Sequence, residues 1–356
     1  MDVGDGGLIP EAPLGIGIIG VGRTARAQAR ACEAIAGVEL RAVAEIDPTK
    51  GAAFAERYGV TLYTDYRELL SRQDIAIAVI LLPHFLHAPV ACDALRAGKH
   101  VFIEKPMAMT TAECTQMIEL AERMRLQIMV GHHYHFTAPS LAAKRLLTSG
   151  EVGDPVMAMD VWHKPFFGEE RPAWFLDAAK GGGMWPMNAS HLIDRLIFTT
   201  GRRVESVKAQ IGNPLLGLGS TDAGIAFLQF SGNFAAAICH SGFSQGVNRF
   251  ETEFVCTRGM LRVTDREVAV GREGAYTPVP LQPAQPMHDQ FAAFIAALRA
   301  GEPVPTPGSY GRDVVAVLEA TEIAARTGRE VAVADVLAGK LSAGDPVPAR
   351  EERAGA

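Results

Sequence analysis

Several features that would fix a protein's class early are scarce or absent in this sequence. Cysteine is sparse: Cys32, Cys92, Cys114, Cys239 and Cys256 are five in number, and none has C-x-x-C spacing. That pattern excludes a disulfide-stapled scaffold or a thiolate zinc site and leads us to expect reduced thiols in a cytoplasmic protein. No block of Lys or Arg occurs, and the net charge is −6, so neither nucleic acid nor an anionic membrane is an expected partner. The longest strongly apolar run, residues 75–82, is far too short to cross a bilayer and suits a buried parallel strand. Residues 1–5 have neither the basic nor the apolar segment of a secretory signal. No internal repeat is visible.

What the chain does have is length and alternation. Its 356 residues suffice for two domains with a sizeable core. Strand-like runs at 14–19, 38–45, 75–82, 100–103 and 127–130 alternate with helix-like runs at 25–36, 49–58, 88–97 and 111–123, which implies a parallel sheet with a ligand at its carboxyl edge. After a helix near 140–148 the pattern changes. Runs at 155–163, 204–211, 223–230, 234–240, 250–256 and 260–264 are spaced as an antiparallel sheet, with Ser231-Gly232-Asn233 as a hairpin turn. A Pro-rich link at 278–286 leads to helices at 288–300 and 310–327. The fold class expected is α/β: a dinucleotide-binding Rossmann domain (14–132), then an α+β domain (133–340) with a large, mostly antiparallel open sheet. The late helices (288–327) are candidates to pack back on the first domain, and residues 1–12 and 341–356 are expected to be flexible tails.

The first strand runs into Gly20-x-Gly22-x-x-Ala25. Glycines there permit a tight turn and close approach of backbone N–H groups to a pyrophosphate. The second strand ends at Glu45, roughly 20 residues on, where a carboxylate can bond an adenosine ribose and repel a 2′-phosphate. NAD is therefore the expected cofactor and NADP the less favoured one.

These segments, with Pro83-x-x-x-His87, the block Ala97-Gly98-Lys99-His100-Val101-Phe102-Ile103-Glu104-Lys105-Pro106, Ser149-Gly150-Glu151-Val152-Gly153, and Gly181-Gly182-Gly183 followed by His191-Leu192-Ile193-Asp194, resemble the Gfo/Idh/MocA oxidoreductases. The resemblance covers residues 14–333 and extends to Phe294-x-x-Ala297-Leu298 and Ala320-Thr321-Glu322. It implies an NAD-dependent dehydrogenase acting on a cyclic polyol, sugar or sugar derivative, assembled as a homodimer or homotetramer. It makes Lys105 and His191 the catalytic pair, with Asn188 holding the substrate hydroxyl. A partly desolvated lysine beside an oxidised nicotinamide exchanges protons near neutral pH, which suits that role. The cofactor-binding set it implies is Gly20, Gly22, Arg23, Thr24, Glu45, Leu82, His84, His87, Glu104, Lys105 and Trp174.

Two departures stand out. Many family members carry an aspartate four residues before the histidine, where this chain has Met187 followed by Asn188. Asparagine orients a hydroxyl but is no base, so proton transfer falls to Lys105 with His191. Leu82 and His84 also replace the threonine and asparagine frequent around Pro83.

The segment Gly131-His132-His133-Tyr134-His135-Phe136 is histidine-rich where the family often has arginine. Adjacent strand residues face opposite ways and no acidic or cysteine ligand accompanies them, so no metal is expected. Instead His133 and His135, together with His163, Trp174, Asn188 and His191, are candidate substrate-binding residues. All three tryptophans (Trp162, Trp174, Trp185) fall near Phe166, Phe167 and Phe175, and aromatic faces suit a cyclic substrate. Three other functions stay open: a dihydrodiol dehydrogenase of aromatic catabolism, a glycoside hydrolase cycling bound NAD, and a non-catalytic NAD-sensing protein.

Overall fold

The computed structural model describes residues 13–165, 171–217, 219–242 and 245–345. The expected tails at 1–12 and 346–356, and Phe166 and Phe167, lie outside the described residues.

The first half forms a six-stranded parallel sheet in the order β3-β2-β1-β4-β5-β6. Its strands are β1 (Leu14–Ile19), β2 (Val38–Ala44), β3 (Thr61–Tyr63), β4 (Ile77–Ile80), β5 (His100–Ile103) and β6 (Ile128–Val130). Every residue of β1 and β4 is buried, as strands covered by helices on both faces must be. The helices are α1 (Ala25–Ala34), α2 (Pro48–Tyr58), α3 (Tyr66–Ser71), α4 (His87–Arg96) and α5 (Thr111–Met124). Strand β3 and helix α3 were not expected; they are short and partly exposed, so they carry little hydrophobic periodicity. The strand order reverses between β1 and β4, which opens a crevice at the carboxyl edge where a ligand binds in such sheets.

The second half is a nine-stranded sheet, ordered β14-β13-β12-β11-β7-β10-β9-β8-β15. It contains β7 (Pro155–Lys164), β8 (Val204–Gly212), β9 (Ala223–Phe230), β10 (Phe234–Gly242), β11 (Arg249–Cys256) and β12 (Gly259–Thr264), extended at its edges by β13 (Val268–Arg272), β14 (Ala275–Pro278) and β15 (Val331–Ala332). All pairs are antiparallel except β7 with β10, which run parallel with Ala158 opposite Ala236. One face is packed by α6 (Ala138–Thr148), α7 (Ser190–Thr200) and α9 (Gly308–Thr327), whose apolar residues share a core with Phe230, Phe234 and Phe254.

The late helices do cross back. Phe291 and Phe294 of α8 (Pro286–Ala300) pack on Phe102 of β5. Helix α9 places Val315 in the core of the first sheet and Val314 and Val317 in that of the second. Residues 341–345, assigned from sequence to the tail, continue along α9: Arg326 donates to the Ala343 oxygen, and Leu341 lies against the second core. The last helix is α10 (Val333–Leu337).

Candidate active site

The dinucleotide cradle is built from the end of β1 and the start of α1. Gly20 has φ +94°, and a Cβ there would stand 2.7 Å from the Leu81 oxygen, so only glycine lets these strand ends approach. Thr24, at the N-cap of α1, makes no side-chain cap, and the first turn holds no acidic residue. By contrast α2 is capped by Asp47 and α5 by a Thr110–Glu113 capping box. No side chain thus covers the start of α1, which suits a pyrophosphate site, while the Ala25 and Ala27 N–H groups donate to the Gly22 and Thr24 oxygens. Glu45 sits beside them: one carboxylate oxygen accepts from the Val21 N–H at 2.7 Å and the other from the Asp47 N–H at 3.0 Å. This donor and acceptor set fits an NAD molecule.

Lys105 follows β5 at the carboxyl edge. Its Nζ donates to the main-chain oxygen of Met187 at 2.7 Å. Burial, with the nearby charge of Lys164, outweighs Glu104 and Asp194 and brings the ammonium down to about 8. Burial pushes the neighbouring Glu104 carboxyl up despite Lys105. Met187 lies in a five-residue π-helical turn, Trp185–Ala189, that leads into α7. A π turn loosens the ladder of helix hydrogen bonds and is common at functional sites; here Pro186 has no N–H to give it. The Met187 side chain packs against the cluster of Phe175 and Met184. Trp185 anchors the turn by donating its indole N–H to Thr321 Oγ1 at 2.9 Å.

One residue beyond Met187, Asn188 is buried, with its amide nitrogen 3.2 Å from His240 Nε2. His191 is also buried, and its Nδ1 has no hydrogen-bond partner among the described residues. Burial, reinforced by Lys105 and His133, holds the His191 ring well below the usual imidazole range, so it is neutral. The rings of Tyr134, His133 and Trp162 surround it at 4.8, 5.3 and 5.9 Å. Burial likewise brings His133 down to about 4. Arg195 pairs with Asp160, tying α7 to β7, and its guanidinium lies over Phe250 at 4.0 Å.

His84 turns its Nδ1 to the Gly181 oxygen at 2.8 Å, and its ring meets Trp174 edge-on at 5.1 Å. The glycine segment before the π turn is thereby tied to the loop after β4. His163, half-buried, shares a 2.7 Å hydrogen bond with Ser241.

Two expected ligand contacts have other parts to play. His87 is fully buried, with both ring nitrogens against main-chain oxygens, Pro106 at 2.9 Å and Leu82 at 2.8 Å. It ties the loop after β4 to the turn after Lys105, and both of its ring nitrogens are taken up there. His135 lies behind the site, where its Nε2 meets Asp194 at 2.6 Å. Asp194, fully buried, also accepts from Tyr310 at 2.7 Å and stands 3.3 Å from His132 Nδ1. Burial opposes its charge, yet His132 and His135 outweigh that and hold the carboxyl well below its ordinary value. Sequence reasoning took His132 only as part of the histidine-rich segment, outside the candidate site residues, and passed over Tyr310 and His240. Among the described residues no group of His, Cys, Asp and Glu is arranged to hold a metal ion.

Residues 14–132 match the family described as "Oxidoreductase family, NAD-binding Rossmann fold", and residues 140–262 match the "GFO/IDH/MocA C-terminal domain". A 1-carboxy-3-chloro-3,4-dihydroxycyclohexa-1,5-diene dehydrogenase of Comamonas testosteroni is 30% identical over 64% of this chain and 58% of its own length. An inositol 2-dehydrogenase of Salmonella paratyphi B is 32% identical over 40% of this chain and 43% of its own. The chain thus spans about half the length of these curated relatives. The aldose-aldose oxidoreductase of Caulobacter crescentus, crystallised with glycerol, superposes with a TM-score of 0.81 at 25% identity, over 90% of this chain and 99% of that one.

Proposed function

This chain belongs to the Gfo/Idh/MocA oxidoreductase family, and on that premise we propose that it transfers a hydride reversibly between NAD and a secondary alcohol of a cyclic polyol, sugar or diol. The observation that carries the reading is Lys105: a lysine at the edge of an NAD-binding sheet, brought down to about 8 and bonded to the turn that bears Asn188. Once bound, the nicotinamide supplies the carbon that accepts the hydride. Neutral Lys105 takes the hydroxyl proton as the carbon gives up its hydride, and in reverse the ammonium returns it. His191 is held too far below neutrality to store that proton. Its part is a hydrogen bond to the reacting oxygen. Glu45 binds the adenosine ribose and Gly20, Gly22, Arg23 and Thr24 the pyrophosphate. His84 and Trp174 wall the nicotinamide side.

Within this class a cyclic dihydrodiol bearing a carboxylate suits the pocket well. Lys164 lies over the Trp162 ring at 5.1 Å and has no acidic partner among the described residues. It is close enough to Lys105 for their charges to oppose each other. The Comamonas relative is named for a substrate with a carboxyl group on a dihydroxy ring.

The proposal includes cytoplasmic residence, supported by five unpaired thiols. It also includes self-assembly through the open sheet face, supported by exposed Met157, Met159, Ile225 and Phe227.

The test is absorbance of reduced nicotinamide on mixing protein and NAD with cyclic polyols, hexose derivatives and dihydrodiols. A rise that is lost in Lys105→Met supports the dehydrogenase. Glycoside cleavage without net reduction overturns it in favour of a redox-cycling hydrolase. Tight NAD binding without any turnover overturns it in favour of a sensor.

A further inference from the structure

We infer that Asn188 accepts a hydrogen bond from a substrate hydroxyl that the reaction leaves unoxidised, that His240 is the positioning residue fixing Asn188 in this sense, and that the substrate is therefore a vicinal diol. The inference rests on the dehydrogenase reading above and sharpens it.

The argument begins at a main-chain oxygen. His240 is on β10, buried, with Nδ1 2.6 Å from the oxygen of Trp162. A carbonyl only accepts, so Nδ1 carries a hydrogen. Burial, with Lys164 and His163 adding to it, holds this ring at about 4 despite that bond, so the ring is neutral. A neutral imidazole with its hydrogen on Nδ1 has a bare Nε2, which can only accept. The Asn188 side chain, 3.2 Å away, must therefore turn its amide nitrogen toward it. The reverse orientation would set two lone pairs against each other in a buried site. The same nitrogen stands 3.7 Å from Met184 Sδ, a weak acceptor. Both amide hydrogens are thus engaged inside the protein. The amide oxygen has no partner among the described residues and is the only atom of this side chain left for a ligand.

Its neighbour Met187 accepts from Lys105 Nζ through its main-chain oxygen, so the turn that carries this acceptor is bonded to the proton-transfer lysine. Oxidising an alcohol converts its oxygen from a group that donates into a carbonyl that only accepts. An amide oxygen aimed at that atom would lose its hydrogen bond and face a new lone pair as the reaction proceeds. Aimed at an adjacent hydroxyl, it keeps its bond from start to finish. The reacting oxygen belongs with Lys105 and His191, and a neighbouring hydroxyl with Asn188.

Two measurements test this. In the first, 15N-labelled imidazole signals of the NAD complex report each histidine's tautomer, with His240 assigned by its loss in His240→Gln. The Nδ1–H form is expected, and the Nε2–H form overturns the orientation argument outright. In the second, cis-1,2-cyclohexanediol and cyclohexanol are titrated into the protein–NADH complex, where no oxidation can follow. The diol should bind roughly tenfold or more tightly, in line with satisfying a buried acceptor. That preference should vanish in Asn188→Leu and His240→Leu and return in His240→Gln, whose amide oxygen can still accept. Equal binding of the two alcohols, or binding of neither, overturns the inference. Equal binding with normal NAD reduction leaves the dehydrogenase reading standing. A diol preference without turnover of any alcohol overturns that reading and keeps the diol subsite.

Discussion

Lys105 and Met187 are joined through a single hydrogen bond, lysine Nζ to main-chain oxygen at 2.7 Å. Position 187 is where proteins of the resembling family often place an aspartate. Here the side chain is apolar, so at this position the ammonium meets a main-chain oxygen in place of a carboxylate. A dipole stabilises the cation less than a carboxylate would, and burial is then free to lower the lysine's proton affinity.

The first consequence concerns pH. With Lys105 near 8, alcohol oxidation should rise as pH climbs through about 8, because the neutral amine is the base. Ketone reduction needs the ammonium and should fall over the same interval. Lys105→Met should lower kcat by on the order of a hundredfold to ten-thousandfold, as for loss of a general base, with NADH affinity nearly unchanged. Opposite limbs in initial-rate profiles of the two directions are the check. Profiles flat around that pH would remove Lys105 from the proton transfer.

A second prediction concerns the cofactor. Glu45 both braces the glycine turn through Val21 and presents its carboxylate at the end of β2. The wild type should bind NADH more tightly than NADPH. Glu45→Ala should weaken NADH by roughly tenfold, the scale of a lost charge-assisted bond, while NADPH is affected far less. Fluorescence titrations with both nucleotides decide it, and an unchanged ratio would separate Glu45 from cofactor choice.

Much of this was legible in the sequence because periodicity and turn chemistry are local. Strands β1 and β5 run from 14 to 19 and 100 to 103 as read, since unbroken apolar runs between glycine and polar breaks have one stable use. Strands β13 and β14 were missed because edge strands of five and four residues need little hydrophobic pattern. The site was harder. His135 and His87 look like ligand contacts in one dimension, yet Asp194, 59 residues on, meets the Nε2 of His135, and the Pro106 and Leu82 oxygens occupy both ring nitrogens of His87. His240 did leave a signal: it shares the inward period-two face of β10 with Phe234, Ala236 and Ile238. A polar residue on that face requires a buried partner. Tyr310 left none, because its partner Asp194 lies 116 residues away.

The same buried histidines predict sensitivity to mild acid. Burial brings His133 and His240 to about 4 from the ordinary 6.5, and holds His84 and His191 well below it. Below that ordinary value the unfolded chain takes up protons that the folded chain refuses, so stability falls as pH falls. Each such histidine contributes about 1.4 kcal/mol of loss per pH unit until its folded value is reached. Urea midpoints should therefore drop between neutrality and pH about 5, before most carboxylates titrate. Midpoints constant over that interval would contradict the neutral assignment of these rings.

The last prediction concerns the outer face of the large sheet. Ala237 pairs with Met159 on one side and Phe227 on the other, so the three side chains form one row across β7, β10 and β9. Met159 is 63% and Phe227 49% exposed. The next pairs along β10 set Ala235 beside Met157 and Cys239 beside Ile225, extending the apolar surface in both directions. Small residues on the middle strand, with large ones on its neighbours, leave a shallow trough that a second copy can fill. A trough of this kind is uncommon on a lone soluble chain. Phe227→Glu should convert the assembly to monomer in light scattering at micromolar concentration, because burying an unpaired carboxylate in such a contact is strongly unfavourable. The substitution points away from the core, so far-UV circular dichroism should not change. A wild-type monomer, or a variant that still associates, would show that this face does not build the oligomer.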